Sequence, residues 1–128
     1  MTDVAATVYA IATAGVIAFQ VTLALGAPWG AYAMGGASPG RFPPKLRAAA
    51  LVQAVVLAFL AVVVLSHAGL VLVSLSEAIP WLIWVVVAFS AISVVLNSIS
   101  RSAGERRVWV PVGLVLLVSS LAVALTAG

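Results

Sequence analysis

Three carboxamides, Gln20, Gln53 and Asn97, are the side chains in this sequence best equipped to recognise something. Each lies within a long uncharged stretch yet carries both a hydrogen-bond donor and an acceptor. Around them the reactive inventory is thin. The chain has no cysteine, which excludes disulfides, thiolate nucleophiles, Cys-ligated zinc and iron–sulfur clusters. One His and three acids, widely spaced, are too few ligands for a protein-only transition-metal site, so no metal and no cofactor is expected. His67 and Glu77 bracket one connection and have the types of a proton relay. No hydroxyl or thiol at a fixed spacing completes a catalytic group, and solvated loop residues are the plainer reading. No catalytic residue is assigned, and the balance lies against an enzyme.

Anion recognition is the other chemistry on offer. Gly26, Gly30, Gly35, Gly36 and Gly40 share a segment with Arg41, Lys45 and Arg47, where backbone bends and cations suit a phosphate. The terminal Gly-Lys-Ser/Thr step of a P-loop is absent, so an interfacial loop with its cations on lipid phosphates is the simpler account. A second basic segment, Arg101 to Arg107, offers similar cations, with Glu105 as an internal ion-pair partner. Ligand-contacting candidates are therefore Gln20, Gln53 and Asn97 together with Trp29, Arg41 and Arg101.

The elements that position these residues follow from composition. Of 128 residues, 65% are hydrophobic and 7% charged. A soluble domain of this size keeps about a quarter of its residues charged to wet its surface, so lipid has to stand in for water here. Uncharged runs place spans at about 4–26, 46–66, 80–99 and 108–127, with Pro80 and Pro111 near helix starts. The expected fold is an all-α integral membrane protein: one domain over 1–128, a four-transmembrane-helix up-down bundle. The stretch from Leu70 to Leu75 reads as an extension of the second span or a short interfacial helix, a strand being the alternative.

All six Lys and Arg fall in the two loops after the first and third spans. The positive-inside rule then puts both loops in the cytoplasm and both termini outside. Six cations with that job leave no case for nucleic acid despite a net charge of +3. Ala6, Ala10, Ala14, Ala18, Thr22 and Gly26 recur every fourth residue and are expected to face a neighbouring helix. Gln20, Gln53 and Asn97 all come to lie in the cytoplasmic half. They either hydrogen-bond to one another as interhelical glue, worth ~0.6 kcal/mol per contact, or line a polar-ended cavity open to the cytoplasmic leaflet.

The loop residues Leu25-Gly26-Ala27-Pro28-Trp29-Gly30, Gly35-Gly36 and Pro43-Pro44-Lys45-Leu46-Arg47 carry a resemblance, as do Asn97-x-x-Ser100-Arg101-Ser102-x-x-Glu105-Arg106 and Trp109-x-Pro111-Val112. The chain resembles a group of small four-span membrane proteins from GC-rich bacteria, to which no activity is assigned. The resemblance implies the fold and a place in the plasma (inner) membrane of a bacterium, and it transfers no catalytic residue.

Asp3, Glu77 and Glu105 all read as lying outside the spans, which removes the embedded carboxylate that a proton-coupled multidrug antiporter requires. The sequence thus supports a non-enzymatic binding or accessory subunit first, holding a lipid or small hydrophobic ligand in the inner half. A small oligomeric transporter or channel with a neutral polar pathway comes second. Partners expected are membrane lipids, with anionic headgroups at the basic loops, and a second copy or a larger membrane protein. The cysteine-free background makes the orientation testable. In spheroplasts, a membrane-impermeant maleimide should label a Ser74→Cys variant and leave Ser38→Cys unlabelled until the membrane is opened.

Overall fold

A computed structural model describes residues 2–33, 40–100 and 102–126. Among these residues every regular element is helical: α1 (Thr2–Ala24), α2 (Pro44–His67), α3 (Val73–Ala78), α4 (Leu82–Ser98) and α5 (Ala103–Thr126), plus a 3-10 turn over Gly30–Tyr32. Helices α1, α2 and α5 are long and apolar enough to cross a membrane; α4 is apolar but has only 17 residues. The segment 70–75 is no strand. It turns through Leu72, in the left-handed region at φ 40°, and enters the short helix α3.

Two of the helix ends are written in the sequence. After α1, the Ala27 N–H bonds the Thr22 carbonyl and the Gly26 N–H bonds the Leu23 carbonyl, with Gly26 at φ 100°. This is a Schellman ending, which satisfies carbonyls that the helix leaves orphaned and needs a residue without Cβ. The end of α2 repeats it: Leu70 bonds back to Leu65, Gly69 to Ser66, and Gly69 has φ 80°. Two starts differ from the sequence expectation. Helix α4 begins at Leu82, because Pro80 and Trp81 form a turn in which the Leu82 N–H reaches the Ile79 carbonyl. Helix α5 begins at Ala103, with the Ser102 Oγ accepting the Glu105 N–H at 3.1 Å. Pro111, expected near a helix start, therefore sits inside α5, and Glu105, Arg106 and Arg107 are helical.

Helix α1 packs against α2 and α5, and α4 packs against α5, whereas α2 and α4 touch only lightly. The Thr2 and Thr126 hydroxyls, 2.6 Å apart, bring the start of α1 to the end of α5. At the other end of the molecule, the Trp109 Nε1–H donates to the Tyr32 carbonyl at 2.6 Å, joining α5 to the connection after α1. Between them lies a packed core of Ala6, Tyr9, Leu60, Val64, Ile83, Val86 and Val123 in the half away from the basic end, and a smaller cluster of Leu23, Phe42 and Ala50 packs at the basic end. A Cβ on Gly113 would come within 3.0 Å of Val94 Cγ2, so α5 meets α4 closely at that glycine.

The alanine stripe of α1 is covered at its two ends only, with Ala10 and Thr22 half-buried and Gly26 buried. Ala6 is buried, but Ala14 and Ala18 are exposed, because residues four apart rotate by about 40° per step around a helix of 3.6 residues per turn. The buried line is instead Ala6, Tyr9, Thr13 and Leu23, with Val16 and Gln20 half-buried along it.

Two hydroxyls give opposite expectations. Buried Ser66 donates to the Leu72 carbonyl at 2.6 Å and accepts the Ser76 N–H at 3.1 Å, so it holds α3 to the end of α2. The Thr13 Oγ1 is buried with no hydrogen-bond partner. Ser66→Ala should lower stability by ~1–3 kcal/mol, and Thr13→Val should be neutral or stabilising. Thermal unfolding in detergent checks both, and a destabilised T13V would show that the hydroxyl is bonded after all.

Candidate functional site

A cavity of about 580 Å³ occupies the half of the molecule nearer the basic end. Each long helix gives it one face. From α5 come Glu105, Trp109, Val112, Gly113 and Leu116, at the i, i+4, i+7, i+8 and i+11 positions of one stripe. Helix α2 supplies Leu46, Ala49, Ala50, Gln53 and Leu57 with the same kind of spacing. From α1 come Tyr9, Val16, Phe19 and Gln20, and from α4 the faces of Phe89, Ser93, Leu96 and Asn97. Glu105 to Leu116 covers ~16 Å of helix rise, as do Leu46 to Leu57 and Tyr9 to Gln20, so the cavity runs along the bundle rather than across it. Its walls are chiefly apolar, and its volume is within the ~300–1,000 Å³ usual for small-molecule sites.

The mouth lies between α2 and α4. Ala49 and Gln53 on one side and Ile92 and Leu96 on the other line the cavity and are exposed, where the two helices touch only lightly. The opposite end is shut by the packed core, with Tyr9 and Leu57 belonging to both.

Gln20, Gln53 and Asn97 thus line one space, but they do not bond to one another. The Asn97 Nδ2–H donates to the Ser93 carbonyl of its own helix at 2.8 Å, and the Gln20 and Gln53 amides bond no protein group among the described residues. The serines nearby behave differently, since the Ser90, Ser93 and Ser98 hydroxyls each donate to a carbonyl four residues back. Such back-bonding satisfies a short hydroxyl inside an apolar helix. A glutamine side chain has two donors and a carbonyl to satisfy, so it faces the cavity with its polar capacity largely unused.

The other candidates are scattered. Trp29 does not line the cavity; it stacks on Phe19, which does, with centroids 6.3 Å apart and planes 8° from parallel. Arg41 is exposed and away from the lining, and Arg101 lies outside the described residues. Arg47 is not turned to a phosphate: its Nε–H donates to the Ala24 carbonyl at 2.9 Å, across the hairpin. The Arg106 guanidinium likewise donates to the Ser100 carbonyl just beyond α4. No hydrogen bond or ion pair joins His67 to Glu77, and no group of three His, Cys, Asp or Glu gathers among the described residues.

Glu105 corrects the sequence reading most. It was expected outside the spans, yet it sits in the first turn of α5, is 5% exposed and lines the cavity. Ser102-x-x-Glu105 is the spacing of a capping box, and that signal places Glu105 inside a helix from the sequence alone. The Ser102 N–H donates to Ser100 Oγ at 3.1 Å. The aromatic lining was also unanticipated. Trp109 meets Phe19 edge-on, with centroids 4.7 Å apart at 62°, and Tyr32 and Phe42 close the same end. The stripe that carries Glu105 also carries Trp109, which the 3.6-residue period shows once the helix is begun at Ala103.

Comparison with known proteins adds no relative: no family model matches the chain, and neither curated proteins nor solved structures give a match. Three of the helices are long and apolar enough to cross a membrane, which is compatible with an integral membrane protein. Tyr32 seats the loop at the basic end of the cavity, because a Cβ on Gly104 would come within 2.6 Å of its ring. Gly104→Val should displace Tyr32 and weaken the Trp109 bond to its carbonyl. A shift in tryptophan emission without loss of helical circular dichroism checks this, and unchanged emission would contradict the packing.

Proposed function

We propose that this is a non-enzymatic integral membrane protein that holds one amphipathic molecule, a lipid or small hydrophobic ligand, in the half of the bundle at the basic end. In this reading all four long helices cross the membrane of a bacterial cell, with the basic loops in the cytoplasm and both termini outside. The broad exposed apolar surface, with Leu51, Val52, Val55 and Phe59 on α2 and Val118 and Leu125 on α5, supports immersion in lipid.

One observation carries the reading: three amides line a mainly apolar cavity without bonding one another. Interhelical glue needs bonds between helices, and none joins these three. Gln53 is exposed at the mouth and Gln20 is half-buried, so both amides are open to an occupant. An occupant with a polar head and an apolar body uses both kinds of wall. The mouth between α2 and α4 faces the bilayer, so such a molecule reaches the cavity sideways from the leaflet. A channel is less well supported, because the packed core around Val64, Ile83 and Val86 closes the far end. Anionic headgroups are assigned to the outer faces of the loops, at exposed Arg41, Lys45 and Arg107.

Native mass spectrometry of protein extracted in a mild uncharged detergent tests the site. Wild type should retain one small amphipathic molecule, and Ala49→Trp at the exposed mouth should lose it. A bare mass for wild type, or equal retention by A49W, would defeat the proposal.

A further inference from the structure

The closed end of the cavity carries hydroxyls that the fold does not use up. Tyr9 reaches from α1 to α4, where its hydroxyl lies beside that of Ser90. Both residues line the cavity and each is only 1% exposed. Tyr9 also belongs to the packed core with Leu60, Val64, Ile83 and Val86, so it forms the floor on which the open space ends.

Hydrogen-bonding capacity at this floor is unevenly spent. Ser90 gives its proton to the Val86 carbonyl at 2.9 Å, which leaves its oxygen as an acceptor. Thr13, one turn along α1, brings a third hydroxyl beside that of Tyr9, yet its Oγ1 is buried without a hydrogen bond. Ser93 and Ser98 show the usual escape for such a group, a bond to the carbonyl four residues back. Thr13 has the Tyr9 carbonyl at that spacing and does not take it. An unpaired hydroxyl in the packed interior costs ~1–3 kcal/mol. The three groups together offer protons from Tyr9 and Thr13 and an acceptor at Ser90, which is what a neutral hydroxyl, itself both donor and acceptor, would engage.

The amides stand at a distance from this floor. Tyr9 and Gln20 are separated by ~16 Å of rise on α1, and Ser90 and Asn97 by ~10 Å on α4. Val16, Phe89 and Leu116 supply apolar wall to the same space. We propose that the occupant is polar at both ends: an uncharged hydroxyl held at Tyr9 on the floor, and a second hydrogen-bonding group at the amides, joined by an apolar body of ~10–16 Å. Tyr9 reads the inner group, and Ser90 and Thr13 position its hydroxyl. This rests on the reading of the cavity as an amphiphile site and adds a second pole to the ligand. It also gives Thr13 a use, since a hydroxyl that burdens the empty protein serves the filled one.

Wild-type protein and Tyr9→Phe, in an uncharged maltoside detergent, are each titrated with dodecanol and with the corresponding terminal diol. Emission of Trp109, in the lining, is the readout. At ~1.2 Å per extended bond the dodecane chain spans ~13 Å, enough to join the two poles. Y9F keeps the ring and removes only the hydroxyl. It should weaken the diol roughly fivefold, as the loss of one net hydrogen bond does, and leave dodecanol and helical circular dichroism unchanged. If Y9F does not fold, Thr13→Val serves, with a smaller loss for the diol alone. Equal losses for the two compounds, or none for the diol, overturn the floor assignment and leave the amphiphile site standing. Failure of both compounds to bind wild type overturns both.

Discussion

Two arginines close the two hairpins at the basic end by the same act. Arg47, in the first turn of α2, reaches back to the Ala24 carbonyl at the end of α1, and Arg106, in the first turn of α5, reaches back to the Ser100 carbonyl after α4. A positive side chain in the first turn of a helix opposes that helix's own dipole by a few tenths of a kcal/mol to about 1 kcal/mol. Here each guanidinium also meets the negative end of the preceding helix, so the same charge that is unfavourable for one helix is favourable for its neighbour. The arrangement fixes where each hairpin turns. It also keeps these two cations out of the cavity lining.

The hollow and the solid halves of the molecule differ in what their polar side chains can do alone. Ser90, Ser93, Ser98 and Ser119 return their hydroxyls to their own helix and so pack without distant partners. Gln20 and Gln53 do not have that escape within the described protein. Their placement beside the light contact of α2 and α4 coincides with the region where packing gives way to space. The tryptophan–phenylalanine contacts and the bond from Trp109 to Tyr32 then give that space a rigid wall at the loop end.

Much of this was legible in the residues, and what was not had physical causes. The long uncharged runs announced the helices. The convergence of Gln20, Gln53 and Asn97 on one space followed from their similar depth. The alanine stripe misled because a spacing of four drifts around a helix, which the pattern 6, 9, 13, 16 does not. Glu105 was missed because a charge was taken to mark the outside of a span; the Ser102 cap starts α5 early enough to carry it inward. Glu105 therefore lies inside the helix that carries the fourth span, although the sequence placed it outside. Which ring faces line the cavity depends on tertiary contacts between Phe19, Tyr32 and Trp109 that no local pattern encodes.

Helix α4 has seven residues fewer than α5, its close neighbour, a difference of ~10 Å in rise. In a bilayer a short apolar helix is accommodated by local thinning, with the interface drawn inward beside it. Because α4 forms one lip of the mouth, thinning there shortens the hydrocarbon path past the opening. Hydrophobic mismatch would then couple membrane thickness to the ease with which an amphiphile leaves the leaflet: thin membranes would load the cavity readily, and thick ones would hold its lip under strain.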